Sequence, residues 1–209
     1  MQSFGKIFLA FCVLCGSAPA ECRMMLGFLQ VNQWFKPMKL NLVSNPLQWG
    51  IKWNPGGFVE DWANPYYVGW SNTLGSNCRS GDLNHADWFF VNVVSPSRDP
   101  QFMAAKLEAV APLVSLKYSP THLVFQAVIG GPNNQPCSTY GVEVSAWHPV
   151  AEQAISIALQ RNPLWIRGPS VLADSCGQFG DYRGHLLEGT ELLFGKKFLD
   201  FYQSRFGLN

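Results

Sequence analysis

Runs of apolar residues alternate with polar and glycine-rich segments along most of the chain. Two runs, at 87–94 and 122–129, are nearly continuous, which is typical of strands buried on both faces of a sheet. Shorter apolar runs at 23–31, 47–53 and 163–167 predict three further strands. The pattern therefore predicts a sheet of five strands.

Apolar residues recur at helical spacing after each of the last three predicted strands. The helical segments are 102–117, 149–161 and 190–206. Pro149 suits the first position of its helix, which would leave His148 extended, and Thr190 suits an N-cap. Strands that alternate with helices imply an α/β fold with a mainly parallel sheet and helices on both faces. Functional sites in such folds lie beyond the carboxyl ends of the strands.

The first twenty residues have the three zones of a secretion signal. Lys6 precedes an apolar run at 7–15, and Ala18 and Ala20 have the small-residue spacing that a signal peptidase requires. The apolar run is too short to span a bilayer. We therefore expect residues 1–20 to be a signal peptide and residues 21–209 to form a single domain that is secreted or periplasmic.

Cysteine usage agrees with export to an oxidising compartment. Four cysteines follow the predicted signal peptide: Cys22, Cys78, Cys137 and Cys176. An even number favours disulfide bonds, and three pairings are possible, between which the sequence does not choose. None of the four has the close spacing of a zinc-binding pair, so we expect no metal site from them.

Composition excludes several classes of function. The chain has 209 residues, of which 47% are hydrophobic and 14% charged, and its formal net charge is +1. Disordered chains have fewer aromatic and more charged residues. Binding to nucleic acid through bulk charge needs a basic excess, which is missing here. Since no dinucleotide or P-loop motif is present either, we expect no cofactor, no nucleic acid partner and no membrane span.

The most informative cluster lies between the last predicted strand and the last predicted helix. Asp181 and His185 are four residues apart there. A carboxylate beside an imidazole fixes its tautomer and stabilises the imidazolium during proton transfer. In a secreted, flavodoxin-like three-layer α/β domain, this pair resembles the closing Asp-x-x-His block of the SGNH (GDSL-type) hydrolases, with one residue more. The resemblance covers the whole mature chain and implies a serine nucleophile elsewhere.

One alignment with that superfamily supplies a serine. The segment Gly69-Trp70-Ser71-Asn72-Thr73-Leu74-Gly75 resembles the Gly-Gln-Ser-Asn-x-x-Gly motif of its sialate O-acetylesterase-like branch, and implies Ser71 as nucleophile. Ser71 follows the β-prone run 66–68, and an exposed serine of this kind needs a base and amide donors for the oxyanion. The resemblance matches Gly130 and Gly131 to the next glycine block. Asn133, after the fourth strand, is a candidate substrate contact.

A second alignment removes the serine. It takes 24–27 as the first strand of the superfamily, so that Gly27-Phe28-Leu29-Gln30 stands in place of Gly-Asp-Ser-Leu and Leu29 in place of the nucleophile. The sequence thus leaves two functions open. One is a secreted esterase acting on a small-molecule or carbohydrate ester. The other is an inactive relative that binds a glycan or a protein partner. The oligomeric state is not determined by the sequence.

Overall fold

Parallel strands form the centre of the molecule. The computed structural model describes residues 23–27, 49–53, 58–67, 87–130, 144–173 and 187–207. The strands are β1 (Arg23–Gly27), β2 (Trp49–Trp53), β3 (Trp88–Asn92), β4 (His122–Gly130) and β5 (Ile166–Ala173). They pair in the order β2-β1-β3-β4-β5, and every neighbouring pair is parallel. The predicted α/β class with a parallel sheet is confirmed.

Helices follow the last three strands, as predicted. The described helices are α1 (Val59–Trp62), α2 (Pro100–Tyr118), α3 (Val144–Arg161) and α4 (Glu188–Phe206). Helix α2 begins at Pro100 because the Asp99 carboxylate accepts hydrogen bonds from the backbone N–H groups of Gln101 (2.8 Å) and Phe102 (3.1 Å). None of the described helices is both long and apolar enough to cross a membrane.

Two predicted helix starts are wrong. Helix α3 begins at Val144, so His148 is helical rather than extended and Pro149 lies inside the helix. The added turn is stabilised by Trp147, which is buried and makes an edge-to-face contact with Phe58 at 5.9 Å. Helix α4 begins at Glu188, and Thr190 lies within its first turn instead of capping it.

The predicted fifth strand is also corrected. The apolar pattern predicts it at 163–167, whereas β5 spans Ile166–Ala173 and continues through Gly168 and Pro169. These two residues suggest a turn in the sequence, but proline is tolerated in a strand at the edge of a sheet or at a bulge. Both conditions hold, since β5 is the last strand of the described sheet and its pairing with β4 is irregular between Phe125 and Ala127.

One face of the sheet packs against α1, α2 and α3. Phe89 and Phe125 point to this side and are fully buried. The predicted apolar faces of α2 and α3 are confirmed, because their residues lie in the same buried cluster: Leu107, Val110, Val114, Ala154, Ile155 and Ala158. Burial of these side chains is the main source of stability for this half of the domain.

The opposite face packs against α4. Phe90 contacts Phe198 edge to face at 5.9 Å and Tyr202 at 4.7 Å between ring centroids. Tyr202 is fully buried, and its hydroxyl donates a hydrogen bond of 2.9 Å to Oε1 of Gln126. Burial raises the pKa of Tyr202 well above its usual value, so the phenol stays protonated and remains a donor. Helices thus contact both faces of β3 and β4.

Gly168 is required for this contact between α4 and the sheet. A Cβ at Gly168 would lie 2.7 Å from Cβ of Gln126 and 2.9 Å from the Tyr202 hydroxyl. We expect Gly168→Ala to lower the free energy of unfolding by about 1–3 kcal/mol, because overpacking forces neighbours apart. Gly189→Ala is the matched control, since a Cβ there would meet no atom within 4 Å among the described residues. Urea denaturation of both variants tests this, and equal midpoints would contradict it.

Candidate active site at the carboxyl edge of the sheet

The carboxyl ends of β4 and β5 lie side by side. Gly130, the last residue of β4, is the register partner of Ala173, the last residue of β5. The segments 131–143 and 174–186 therefore leave the sheet from adjacent positions. The first carries the predicted glycine and asparagine contacts, and the second carries the predicted acid and base. This edge is where ligands bind in open parallel sheets.

Most predicted site residues lie outside the described residues. Gly130 is placed at the end of β4. The others stay predictions: Gly69, Ser71, Asn72, Gly131, Asn133, Asp181 and His185.

The segment that leads to Ser71 is anchored at the same edge. The backbone N–H of Val59, in α1, donates a hydrogen bond of 3.1 Å to the carbonyl of Val94, just beyond β3. Trp62 is buried and packs edge to face on Tyr67 at 5.3 Å. Burial, and secondarily the Asp61 carboxylate, raises the pKa of Tyr67. Helix α1 is therefore held beside the carboxyl end of β3.

The β-prone run before Ser71 does not form a strand at the two of its residues that the structure describes. Tyr66 and Tyr67 form a turn after α1. The Asn64 side chain accepts a hydrogen bond of 3.0 Å from the Tyr66 backbone N–H, and this local turn overrides the β-propensity of the two tyrosines. By contrast, β1 coincides with the first strand of the second alignment and lies between β2 and β3. Leu29 lies outside the described residues.

A buried serine and a glutamate at this edge were missed by sequence reasoning. Ser95 is fully buried three residues beyond β3, and its hydroxyl donates a short hydrogen bond to Oε1 of Glu60 in α1. The same hydroxyl accepts a hydrogen bond of 3.0 Å from the Ser97 backbone. Oε2 of Glu60 is buried and has no hydrogen-bond partner among the described residues. The contact joins residues 35 apart, so no local pattern signals it.

Among the described residues, no group of three or more histidine, cysteine, aspartate or glutamate side chains is placed to hold a metal ion. The described elements supply two adjacent strand ends, a short helix hydrogen-bonded to the segment after β3, and one half-buried carboxylate. Such a frame can position a nucleophile, a base and amide donors that come from separate loops.

Comparison with solved structures shows a shared fold. A family two carbohydrate esterase from Clostridium thermocellum, in complex with cellohexaose, matches with a TM-score of 0.55 and 12% identity, over 91% of this chain and 66% of the esterase chain. An active-site mutant of a family two carbohydrate esterase from that organism matches with a TM-score of 0.55 and 11% identity, over 91% and 65% of the two chains. This chain thus spans slightly less than two thirds of those esterases. Such low identities establish the fold alone.

A third similar structure is the C-terminal catalytic domain of peptidoglycan O-acetyltransferase A from Streptococcus pneumoniae, solved with a methylsulfonyl adduct. It matches with a TM-score of 0.48 and 10% identity, over 90% of this chain and 95% of that domain. No protein-family model matches the sequence, and no curated protein matches it.

Proposed function

We propose that the chain is a secreted serine esterase of the SGNH type that hydrolyses acyl esters, and that its full fold is a flavodoxin-like three-layer sandwich around a five-stranded sheet. The observation that carries the proposal is the register of Gly130 with Ala173. Gly130, which begins the glycine segment, therefore lies beside Ala173, after which the chain continues to Asp181 and His185. Both strand ends lie at the carboxyl edge of the sheet, where such folds bind ligands. The fold shared with family two carbohydrate esterases supports the same conclusion.

In the proposed mechanism, three segments supply the reacting groups. The Ser71 hydroxyl attacks the ester carbonyl while His185 takes its proton, and Asp181 orients the imidazole. Backbone amides beside Ser71 and at Gly130 stabilise the oxyanion. His185 then gives the proton to the leaving alcohol. In the second step His185 takes a proton from water, which attacks the acyl-serine, and then returns that proton to the Ser71 oxygen as the acid leaves. Gly69 and Gly131 permit close approach of the backbone, and Asn72 and Asn133 contact the substrate.

The proposed substrate is an ester carried on a carbohydrate. One esterase of similar fold was solved in complex with cellohexaose, which supports a sugar-bearing substrate here. The Tyr66 side chain is 90% exposed in the turn that follows α1. A flat, exposed aromatic ring of this kind offers a stacking surface for the C–H face of a sugar. We assign Tyr66 to that role.

Export is part of the proposal. Residues 1–20 act as a signal peptide, and residues 21–209 form the esterase domain in a secreted or periplasmic location. Disulfide bonds among Cys22, Cys78, Cys137 and Cys176 then stabilise the domain in an oxidising compartment. All four cysteines lie outside the described residues.

A second function is favoured by one observation. The central position of β1 agrees with the alignment that places Leu29, which has no nucleophilic group, at the nucleophile position. On that alternative the protein is an inactive SGNH-like protein that binds a glycan or a protein partner at the same edge.

A fluorophosphonate probe distinguishes the two functions, because it reacts only with an activated serine. We expect the wild-type protein to be labelled, with the adduct on the peptide that contains Ser71. His185→Gln is the second variant, and its labelling should fall by about 10²-fold or more because the serine loses its base. A wild-type protein that carries no adduct on Ser71 would overturn the esterase proposal and support the binding protein.

A further inference from the structure

A line of polar side chains joins α3 to β5, the last strand of the described sheet. The register of β4 and β5 pairs Phe125 with Arg167 but Ala127 with Ser170, so β5 carries one extra residue. A residue-by-residue alternation would place Arg167 and Ser170 on opposite faces of the strand. The bulge instead turns both side chains toward α3, which is a known use of bulges.

Three polar side chains of α3 meet these two residues. His148, Glu152 and Ser156 are spaced four apart, and therefore lie along one side of the helix. Arg167 forms an ion pair with Glu152, with Nη1 2.5 Å from Oε2, and its other terminal nitrogen donates a short hydrogen bond to the Ser156 hydroxyl. These two contacts of Arg167 hold β5 against α3.

The remaining pair has the geometry of a nucleophile and its base. The Ser170 hydroxyl lies 3.0 Å from Nε2 of His148, within hydrogen-bond distance. Ser170 is exposed and His148 is half-buried. Burial lowers the pKa of His148, and this effect outweighs the Glu152 carboxylate and a hydrogen bond with the Ala127 backbone, both of which raise it. The imidazole is therefore neutral at neutral pH and able to accept a proton.

We propose that Ser170 and His148 form a second nucleophile–base pair, distinct from the predicted triad, which accepts the acyl group of small activated esters. In the proposed arrangement the imidazole proton lies on Nδ1, so that Nε2, which faces the Ser170 hydroxyl, is the acceptor.

In the proposed acyl transfer, one proton passes from Ser170 through His148 to the leaving group. The Ser170 oxygen bonds to the acyl carbon, its proton passes to Nε2 of His148, and the bond to the leaving alkoxide or phenoxide breaks. His148 then returns the proton to that leaving group. The product is an acyl-serine at an exposed position of β5. Water then attacks the acyl carbon while His148 takes its proton, the acid leaves, and His148 returns that proton to the Ser170 oxygen.

Acetylation by para-nitrophenyl acetate tests the pair in the full chain. The readout is the fraction of the Ser170 peptide that gains one acetyl group, measured by mass spectrometry. We expect His148→Gln to slow this acetylation by about 10²-fold or more, because a general base contributes about 10²–10⁴-fold. Ser204 is the internal control, since it is exposed on α4 and the partner of its hydroxyl among the described residues is a backbone carbonyl, that of Phe201, at 3.0 Å. Ser170 acetylated no faster than Ser204 would overturn the proposal, as would a His148→Gln variant that reacts at the wild-type rate.

Two further measurements separate direct acetylation of Ser170 from acyl transfer by the proposed triad and from loss of folding. In a Ser71→Ala background, acetylation of Ser170 should continue at the wild-type rate, and its loss would show that the acyl group comes from the proposed triad. Thermal unfolding of His148→Gln checks that the variant is folded. If it is not, Ser170→Cys replaces it in the wild-type background: the thiol should then be the acetylated group, and an unmodified cysteine would contradict the pair.

The pH profile gives an independent signature of His148. Among the described residues, the charged group that acts on His148 is Glu152 on its own helix, and Glu152 is itself paired with Arg167 on β5. Because burial holds the pKa of His148 below the usual 6.5, the rate of Ser170 acetylation should be constant above that pH and fall only in more acidic solution. A rate that still rises steeply above neutral pH would contradict the assignment.

Discussion

Ser71→Ala is expected to abolish most of the esterase activity. Replacing the nucleophile leaves only oxyanion stabilisation and substrate binding, so kcat for para-nitrophenyl acetate should fall by at least about 10³-fold, with a much smaller change in KM. The split between kcat and KM identifies Ser71 as the group that reacts, because a serine that only binds substrate would change KM. Steady-state kinetics on the purified wild-type and variant proteins provide the measurement.

The chain itself offers a matched control for this variant. Ser76 is followed by Asn77, as Ser71 is followed by Asn72, but it has no glycine two residues before it. Ser76→Ala should retain wild-type kinetics. Full activity in Ser71→Ala, or an equal loss in both variants, would mean that Ser71 is not the nucleophile. Residual turnover that disappears in a Ser71→Ala, Ser170→Ala double variant would then be assigned to Ser170.

Phe90→Ala is expected to cause the largest loss of stability. The Phe90 ring is fully buried between the sheet and α4, in contact with Phe198 and Tyr202. Its removal leaves a cavity that the strand cannot close, and the expected loss is about 3–5 kcal/mol. Since domains of this size are stable by about 5–15 kcal/mol, the midpoint of urea denaturation should shift strongly.

Phe102→Ala is the matched control, because it removes the same side chain from an exposed position. Phe102 is 43% exposed on α2, where its ring lies 5.0 Å from Nζ of Lys106. An exposed cation–π contact is worth about 0.5–1 kcal/mol, and alanine is the better helix former, so the net change should be below about 1 kcal/mol. Equal destabilisation by the two variants would show that the Phe90 side of the sheet does not form the core described here.

Local sequence features predicted the parts of the fold that depend on local interactions. The continuous apolar run that ends at Gly130 had the length of a buried strand, and β4 extends over it. The spacing of Leu107, Val110 and Val114 predicted the buried face of α2, since a helix repeats every 3.6 residues whatever surrounds it. The start of α3 escaped the same reasoning, because the contact of Trp147 with Phe58 stabilises its first turn from a distant part of the chain.

The candidate functional residues also fall into two groups, those that the sequence identified and those that only the tertiary structure brought into contact. The sequence by itself determined the α/β class, the expectation of a signal peptide, and the choice of Ser71, Asp181 and His185 as candidates, because residue type and spacing are written in the chain. Only the tertiary structure placed Gly130 beside Ala173, joined Ser95 to Glu60, and turned Ser170 toward His148. Each of these contacts depends on how strands pair and where a bulge occurs, and those are settled by packing across the sheet rather than by neighbours in sequence.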